Sequence, residues 1–381
     1  DHAATTPLRD EVRDAWLEAQ GIGNASSVHG AGQRARRVLE EARERVAARL
    51  GCQPIEVVFT SGGTESVNLA LKGLWSARPE GRDTIVLPDG EHHASLDAVS
   101  WLASREGAAV RAVPLSSRGR IEADAFRAAL DGSSALATAL VAANETGTIN
   151  DAAALSAAAA DAGVPLHLDA VAAAGHLALD FDGLRGSAPA KAGLVALSIS
   201  GHKLGAPVGT GALVVSRHAA PEPLLHGGGQ QRGLRAGTQD IAGAAALATA
   251  LEIADVERAD ENERLERIRA EVVTTLASRA PSIVVLGDPE HHLPGTIHLH
   301  LPGAAGESLM FLLDQSGISV STGSACQAGV AEPSHVVMAL GYAADEARQV
   351  LRVSMGRTTT PEEMMLFTEA LLEAYARLTS R

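Results

Sequence analysis

Short apolar runs alternate with amphipathic stretches along the first half of the chain. The apolar runs predict buried strands at 56–60, 84–87, 110–115, 136–143, 164–171, 193–199 and 211–216. Helical patterns such as EADAFRAAL and DAAALSAAAADAG lie between several of them. Buried strands connected by helices are typical of a mostly parallel sheet with helices on both faces. The pattern predicts an α/β fold whose functional groups lie at the carboxyl ends of strands.

The pattern changes after residue 240. A long amphipathic helix rich in charges is predicted over about 241–274, and strand signals follow in SIVVLG, TIHLHL and LRVSMG. Helical patterns in GESLMFLLDQSG and TPEEMMLFTEALLEAYARL complete a smaller α+β unit. We expect a large domain over 10–248 and a small C-terminal domain over 249–381, with segment 1–9 packing on the small one.

Composition and charge narrow the possible functions. The chain has 381 residues, is 46% hydrophobic and carries a net charge of −14, which argues against direct nucleic-acid binding. No apolar stretch reaches the roughly 18 residues of a membrane span, and no leader pattern opens the sequence. The two cysteines, Cys52 and Cys326, are too few for a disulfide framework. We therefore expect a cytoplasmic protein that binds no membrane.

Three polar motifs at strand exits suggest a cofactor. Lys203 lies in LSISGHKLGAPVG, Asp169 ends the apolar run of HLDAV, and Gly63 and Thr64 lie in the glycine-rich turn FTSGGTES before a helix. Pyridoxal phosphate requires a lysine for its Schiff base, a carboxylate at its pyridine nitrogen and an anion site for its phosphate. Each motif alone has an ordinary structural explanation, but the combination predicts pyridoxal 5'-phosphate as the cofactor.

The two cysteines differ in their surroundings. Cys326 lies in STGSACQAG, a run of small polar residues that predicts an exposed loop and a nucleophilic thiolate. Cys52 follows a helical pattern and is expected to be inert. No metal site is expected, because the histidine pairs His291/His292 and His298/His300 lack cysteine or carboxylate partners at ligand spacing.

The sequence resembles the cysteine desulfurases, NifS-like fold-type-I pyridoxal phosphate enzymes, over essentially its whole length. The matching stretches, in family order, are DHAATTP, GNASSVHGAGQRA, VFTSGGTES, EHHASLD, ANETGT, HLDA, SISGHKLGAPVGTGAL, HGGGQQRGLRAGT, STGSAC and LRVSMGRTT. The spacing after GSAC resembles the branch with a longer, mobile cysteine loop. The resemblance implies a seven-stranded, mostly parallel sheet sandwiched by helices, plus a smaller α+β C-terminal domain.

The resemblance also assigns roles to individual residues. Lys203 would form the internal aldimine and move protons, and Asp169 would pair with the pyridine nitrogen. Cys326 would take sulfur from L-cysteine as a persulfide, leaving L-alanine, and pass it to an acceptor protein. His92 would stack on the ring and transfer protons, and the phosphate would be bound by Gly63, Thr64, Ser200 and His202. Asn144 would contact both the cofactor and the substrate carboxylate, and Arg352 would bind that carboxylate. Thr238 would contact the phosphate of the partner subunit in a homodimer.

Three positions depart from the family pattern and leave alternatives open. Ala172 replaces a glutamine that donates to the ring's phenolic oxygen, Ala143 replaces an asparagine, and Val208 replaces a lysine. The first departure favours a related β-lyase, a selenocysteine lyase or another altered specificity, whereas Cys326 favours the desulfurase. A weakly active scaffold protein is a further alternative. The acceptor stays open among iron–sulfur cluster assembly, tRNA thiolation, DNA sulfur modification and secondary metabolism.

Overall fold

The structure is a computed structural model that describes residues 1–323, 326–327 and 330–380. For 326–327 and 330–331 it describes the backbone alone. Among the described helices, none has the length and apolar character that a bilayer crossing requires.

The described chain contains the following helices and strands, which alternate through its first half. The helices are α1 (Asp10–Glu18), α2 (Gly30–Leu50), α3 (Gly63–Ser76), α4 (His93–Glu106), α5 (Ala123–Ala129), α6 (Ala152–Asp161), α7 (Phe181–Arg185), α8 (Ile241–Arg279), α9 (Gly306–Gln315), α10 (His335–Ala339) and α11 (Pro361–Thr379). The strands are β1 (Val57–Thr60), β2 (Thr84–Pro88), β3 (Ala109–Val113), β4 (Ser134–Leu140), β5 (Pro165–Asp169), β6 (Gly193–Ser200), β7 (Gly211–Val215), β8 (Val284–Leu286), β9 (Thr296–His300), β10 (Cys326–Gln327), β11 (Val330–Ala331) and β12 (Val350–Ser354).

The first seven strands form one sheet in the order β1-β7-β6-β5-β4-β2-β3. Strands β2 to β6 pair in parallel, and β7 is antiparallel to both of its neighbours. Each strand coincides with one of the predicted apolar runs, so the mostly parallel α/β sheet is confirmed. The parallel arrangement brings the carboxyl ends of β4, β5 and β6 to one edge, where Leu140 pairs with Asp169 and Asp169 with Ser198.

Two predicted strands end earlier than the apolar pattern suggests. Strand β4 ends at Leu140, and the Ala143 N–H donates to the Thr148 carbonyl at 2.9 Å, which closes a turn. Strand β5 ends at Asp169, whose Oδ1 accepts from the Val171 N–H at 2.9 Å. In both places turn hydrogen bonds replace those of the sheet, although the residues stay apolar. Hydrophobicity alone therefore overestimates the strand lengths.

A second, antiparallel sheet in the order β12-β9-β8 lies in the C-terminal part of the chain. Its apolar side chains pack with those of α8, α9 and α11 in a separate core that contains Leu265, Ile297, Leu309, Leu351 and Phe367. The predicted strand and helix signals of the C-terminal unit are thus confirmed. Strands β10 and β11 pair as a two-stranded antiparallel ribbon.

Helix α8 connects the two cores without a break. Ala254 packs in the core of the large sheet, whereas Leu265 packs in the core of the small one. The division at residues 248 and 249 stays a prediction, because the helix runs through it. The N-terminal segment contacts both parts: the Ala3 N–H donates to Ser354 Oγ at 2.9 Å, and the Arg9 N–H donates to the Gly205 carbonyl at 3.0 Å.

Gly211 on β7 provides a test of the packing beneath the loop that precedes α3. A Cβ atom there would lie 2.6 Å from the Cα of Gly62 and 2.9 Å from its N and C atoms. Because backbone atoms cannot move aside as a side chain can, we expect Gly211→Ala to lower the free energy of unfolding by about 1–3 kcal/mol. Denaturant unfolding followed by circular dichroism measures this change.

Gly132→Ala is the matched control for Gly211→Ala. A Cβ atom at Gly132 would meet no atom within 4 Å. We expect its effect on unfolding to stay within about 0.5 kcal/mol. Equal effects of the two substitutions would contradict the close approach of β7 to Gly62.

Candidate active site

A cavity of about 480 Å³ opens where the carboxyl ends of β4, β5 and β6 meet β12 and the N-terminal segment. Such an edge is where open α/β sheets bind ligands. The described residues that line it include most of the predicted site. These are Gly63, Thr64, His92, Asn144, Asp169, Ser200, His202, Lys203 and Arg352.

Lys203 ends a short 3-10 turn, Gly201–Lys203, that directly follows β6. Its Nζ donates to the carbonyl of Ala4 at 2.9 Å and also to the carbonyl of Ala3. Burial and the nearby Arg352 lower the pKa of Lys203 to about 8, although Asp169 acts in the opposite direction. A substantial fraction of this amine is therefore neutral near physiological pH, which is the form that attacks a carbonyl carbon.

Asp169 lies at the end of β5 and is 3% exposed. Burial raises the pKa of Asp169 to about 6, while the Val171 N–H and the charge of Lys203 lower it. A carboxylate in this position compensates a positive charge placed in the cavity. Further positive charge from a bound ligand would favour its ionised form.

A second buried carboxyl, Glu91, lies beside Asp169 and was not identified from the sequence. Its Oε1 accepts from the Leu140 N–H at 2.8 Å, at the end of β4. Burial and the nearby Asp169 raise the pKa of Glu91 to about 8. Its position directly before His92 in EHHASLD was the one available signal.

His92 is the N-cap of α4. Its Nδ1 accepts from the Ala94 N–H at 3.1 Å, so the neutral ring carries its proton on Nε2. Burial, together with the charges of His93 and Lys203, lowers the pKa of His92 to about 4. The ring is therefore neutral across the physiological pH range.

The N-terminus of α3 supplies an anion cradle. Gly62 precedes the helix with a φ of 146°, and a Cβ at Gly63 would lie 2.7 Å from Val171 Cγ2. Glycine is thus required for the helix to start this close to the loop after β5. The first N–H groups of the helix, with the hydroxyls of Thr64 and Ser200, face a common space that suits a phosphate.

Arg352 projects from β12 on the opposite side of the cavity. Its Nη1 donates to the Asn144 carbonyl at 3.1 Å, and its Nη2 lies 3.2 Å from Oδ1 of Asp1. Its side chain is 8% exposed. Asp1 belongs to the family motif DHAATTP, but no sequence pattern connects it with Arg352.

Glu145, beside Asn144, lies next to two described residues on either side of Cys326 in the sequence, Gly323 and Ser334. Its Oε2 accepts from Ser334 Oγ at 2.5 Å, and a Cβ at Gly323 would lie 2.9 Å from the same oxygen. Burial raises the pKa of Glu145 to about 7, while Ser334 and Arg352 lower it. Gly323 itself lines the cavity.

Two of the predicted residues are not among the described residues that line the cavity. The backbone of Cys326, in β10, pairs with that of Ala331 in β11, and the Cys326 side chain lies outside the described part of the chain. Thr238 is exposed and is not among the described residues that line the cavity of its own chain. Burial raises the pKa of the other cysteine thiol, Cys52, to about 12, which favours the expected inert role.

The three departures from the family pattern lie in different places. Ala172 and Ala143 both line the cavity, so both replacements change its wall. Val208 is 80% exposed and lies on the surface.

The residues present fit pyridoxal phosphate. A lysine with a lowered pKa, a buried carboxylate and a glycine cradle at a helix N-terminus face the same cavity. The cradle has no room for a side chain at Gly63. These are the groups that hold the aldehyde, the ring nitrogen and the phosphate of this cofactor.

Comparison with known proteins gives the same assignment. Residues 1–367 match the family model for aminotransferase class-V. The IscS-like cysteine desulfurase of Mycobacterium tuberculosis is 45% identical, over 99% of this chain and 96% of the relative. The cysteine desulfurase IscS of Dictyoglomus turgidum is 36% identical, over 96% of this chain and 91% of the relative.

The solved structures agree in fold over the full length. A NifS-like protein superimposes with a TM-score of 0.90 at 31% identity, covering 99% of both chains. This similarity confirms the fold-type-I architecture, with its large parallel sheet and small C-terminal sheet. The chain belongs to the aminotransferase class-V family, and within it to the pyridoxal phosphate-dependent cysteine desulfurases.

Proposed function

We propose that this chain converts L-cysteine to L-alanine with the residues of the described cavity and holds the sulfur on Cys326 for an acceptor protein. The observation that carries the proposal is the convergence of Lys203, Asp169 and Arg352 on one cavity. An amine, a carboxylate and a guanidinium placed in this way can hold a cofactor at one end and an amino acid at the other.

Cofactor binding is assigned to the large sheet. Bound pyridoxal phosphate supplies an electron sink that labilises bonds at the substrate Cα. Lys203 would hold the cofactor through its amine and would carry a proton at the substrate Cα, a task that its pKa of about 8 suits. Asp169 would compensate the protonated ring nitrogen, and the neutral His92 would lie against the ring. The phosphate is assigned to the N-terminus of α3 with Ser200 and His202.

Substrate binding is assigned to Arg352 and Asn144. The guanidinium of Arg352 is buried and its plane is held by the Asn144 carbonyl, which suits recognition of a planar carboxylate. The substrate amine then faces Lys203 across the cavity. Binding from two sides fixes which bonds of the substrate point towards the segment that carries Cys326.

Sulfur transfer is assigned to Cys326. Its thiolate attacks the substrate sulfur, a sulfur–sulfur bond forms, and the substrate Cβ–S bond breaks. The electron pair of the broken bond stays with the substrate carbon, which is protonated to give alanine. The location of Gly323 on the cavity wall and the contact of Ser334 with Glu145 support this assignment, because both lie close to Cys326 in sequence.

We further propose a homodimer in which Thr238 reaches the phosphate of the partner subunit. Large apolar side chains that are exposed in the single chain support an interface between copies. Val28 is 87% exposed, Val208 is 80% exposed and Leu225 is 47% exposed. The cytoplasm stays the expected location, because its reducing conditions preserve free thiols.

The rate at which the apoprotein takes up pyridoxal phosphate tests the role of Lys203. Only the neutral amine reacts, so the rate should rise about tenfold per pH unit below pH 8 and level off above it. Stopped-flow absorbance of the bound cofactor measures the rate, and Lys203→Ala should abolish the covalent product. A midpoint near 10.5, the value of an exposed lysine, would contradict the burial of this amine.

The amino-acid product tests the role of Cys326. With L-cysteine and a reductant, the cofactor-loaded protein should release alanine and sulfide, and Cys326→Ser should lose at least about 99% of this activity. Cys52→Ala is the matched control and should retain full activity, because the Cys52 thiol stays protonated. Pyruvate as the main product would instead indicate a β-lyase, and Ala172→Gln would then show whether that departure is the cause.

Mixed dimers test the shared site. Lys203→Ala and Thr238→Asp should each be inactive alone, the second because its charge repels the phosphate. Random mixing makes about half of the dimers mixed, each with one intact site, so about a quarter of the wild-type activity should return. No recovery in a demonstrated mixed dimer would place Thr238 in its own subunit's site or outside any site.

A further inference from the structure

The carboxylate of Asp1 contacts the guanidinium that is assigned to the substrate. Its Oδ1 and Oδ2 lie 3.2 Å and 3.4 Å from Arg352 Nη2. Its Oδ1 also accepts from Ser354 Oγ at 2.8 Å and from the Ala4 N–H at 3.2 Å. Four contacts thus fix one carboxylate, which has a side chain only 16% exposed.

The register of β12 explains why this carboxylate is held so closely. Arg352 and Ser354 are two residues apart on one strand, so their side chains lie on the same face. The Ser354 hydroxyl accepts from the Ala3 N–H at 2.9 Å and donates to Asp1. The serine therefore fixes the N-terminal segment and the carboxylate together.

Arg352 keeps donor capacity for a ligand. Its Nη1 donates to the Asn144 carbonyl and its Nη2 to Asp1, whereas its buried Nε has no hydrogen-bond partner among the described residues. Arg352 and Ser354 line the cavity, but Asp1 is not among its described lining residues. Asp1 thus contacts the guanidinium without occupying the space of the substrate.

The energetics favour a positioning role for this contact. A buried guanidinium is costly without a compensating anion, and recognition of a carboxylate by arginine depends on the plane of the guanidinium. Asp1 supplies the charge, and together with the Asn144 carbonyl it holds the plane from two sides. Without the charge of Asp1, the Arg352 guanidinium can rotate towards other acceptors near it. One of these is Glu145, whose negative charge raises the pKa of Arg352.

We propose that Asp1 is a positioning residue that orients the Arg352 guanidinium for the α-carboxylate of the amino-acid substrate. The proposal rests on the proposed binding role of Arg352. It gives the N-terminal segment a part in substrate recognition, although Asp1 itself touches neither substrate nor cofactor. A structural role alone would stabilise the segment without affecting which ligands bind.

Asp1→Asn in the cofactor-loaded full chain tests the proposal, because it removes the charge and keeps the shape. We expect the KM for L-cysteine to rise about tenfold and kcat to change by less than about twofold. Asp10→Asn is the matched control. It removes a carboxylate from the same part of the chain, where Asp10 pairs with Arg13 on an exposed surface, and both constants should stay unchanged.

Equilibrium binding separates positioning from a structural effect. In a Cys326→Ser background, L-cysteine and cysteamine, which lacks the carboxylate, are titrated while the absorption of the bound cofactor is recorded. Asp1→Asn should weaken L-cysteine about tenfold and leave cysteamine unchanged. Ser354→Ala should act in the same direction but less strongly, because it removes one of the contacts that fix Asp1.

Two results would overturn the proposal. An unchanged affinity for L-cysteine would show that Asp1 does not act on Arg352, and equal weakening of both ligands would show a structural effect. Failure of the proposed function gives a different result. In that case the unsubstituted enzyme forms no alanine, or Arg352→Lys leaves the binding of L-cysteine unchanged.

Discussion

The positive charge of Arg352 is buried between the two sheets, and the arrangement around the cavity depends on its compensation. The guanidinium projects from the small sheet, but its partners come from elsewhere: Asp1 from the N-terminal segment and the Asn144 carbonyl from the loop after β4. Three separate parts of the chain therefore meet at one cation. Because a buried cation that loses its partner is strongly destabilising, these parts are held in one relative arrangement.

On the other side of the cavity, two carboxyl groups share a small volume. Glu91 and Asp169 both lie near the ends of parallel strands, and the charge of Asp169 raises the cost of ionising Glu91. With pKa values of about 8 and about 6, Glu91 stays largely protonated at neutral pH whereas Asp169 ionises. The pair thus carries a single negative charge at neutral pH, on the carboxylate that we assign to the ring nitrogen of the cofactor.

The sequence predicted the large sheet well, because buried parallel strands are continuous apolar runs between helices. It predicted Lys203 and Asp169 for the same reason, since a charged residue directly after such a run is conspicuous. Glu91, Glu145 and Asp1 were missed. Their burial arises only when distant segments pack together, as when Ser354 of β12 meets Asp1. The role proposed for Thr238 involves a second chain, which one sequence does not describe.

Helix α8 sets a further constraint on the molecule. Its 39 residues contain no proline and form a rod about 58 Å long that belongs to both cores. Inserting one residue between Ala254 and Leu265 would rotate everything beyond it by about 100° around the rod axis. Arg352 would then no longer face Lys203. Substitutions on the exposed side of α8 are therefore tolerable during evolution, but changes in the length of this central part are not.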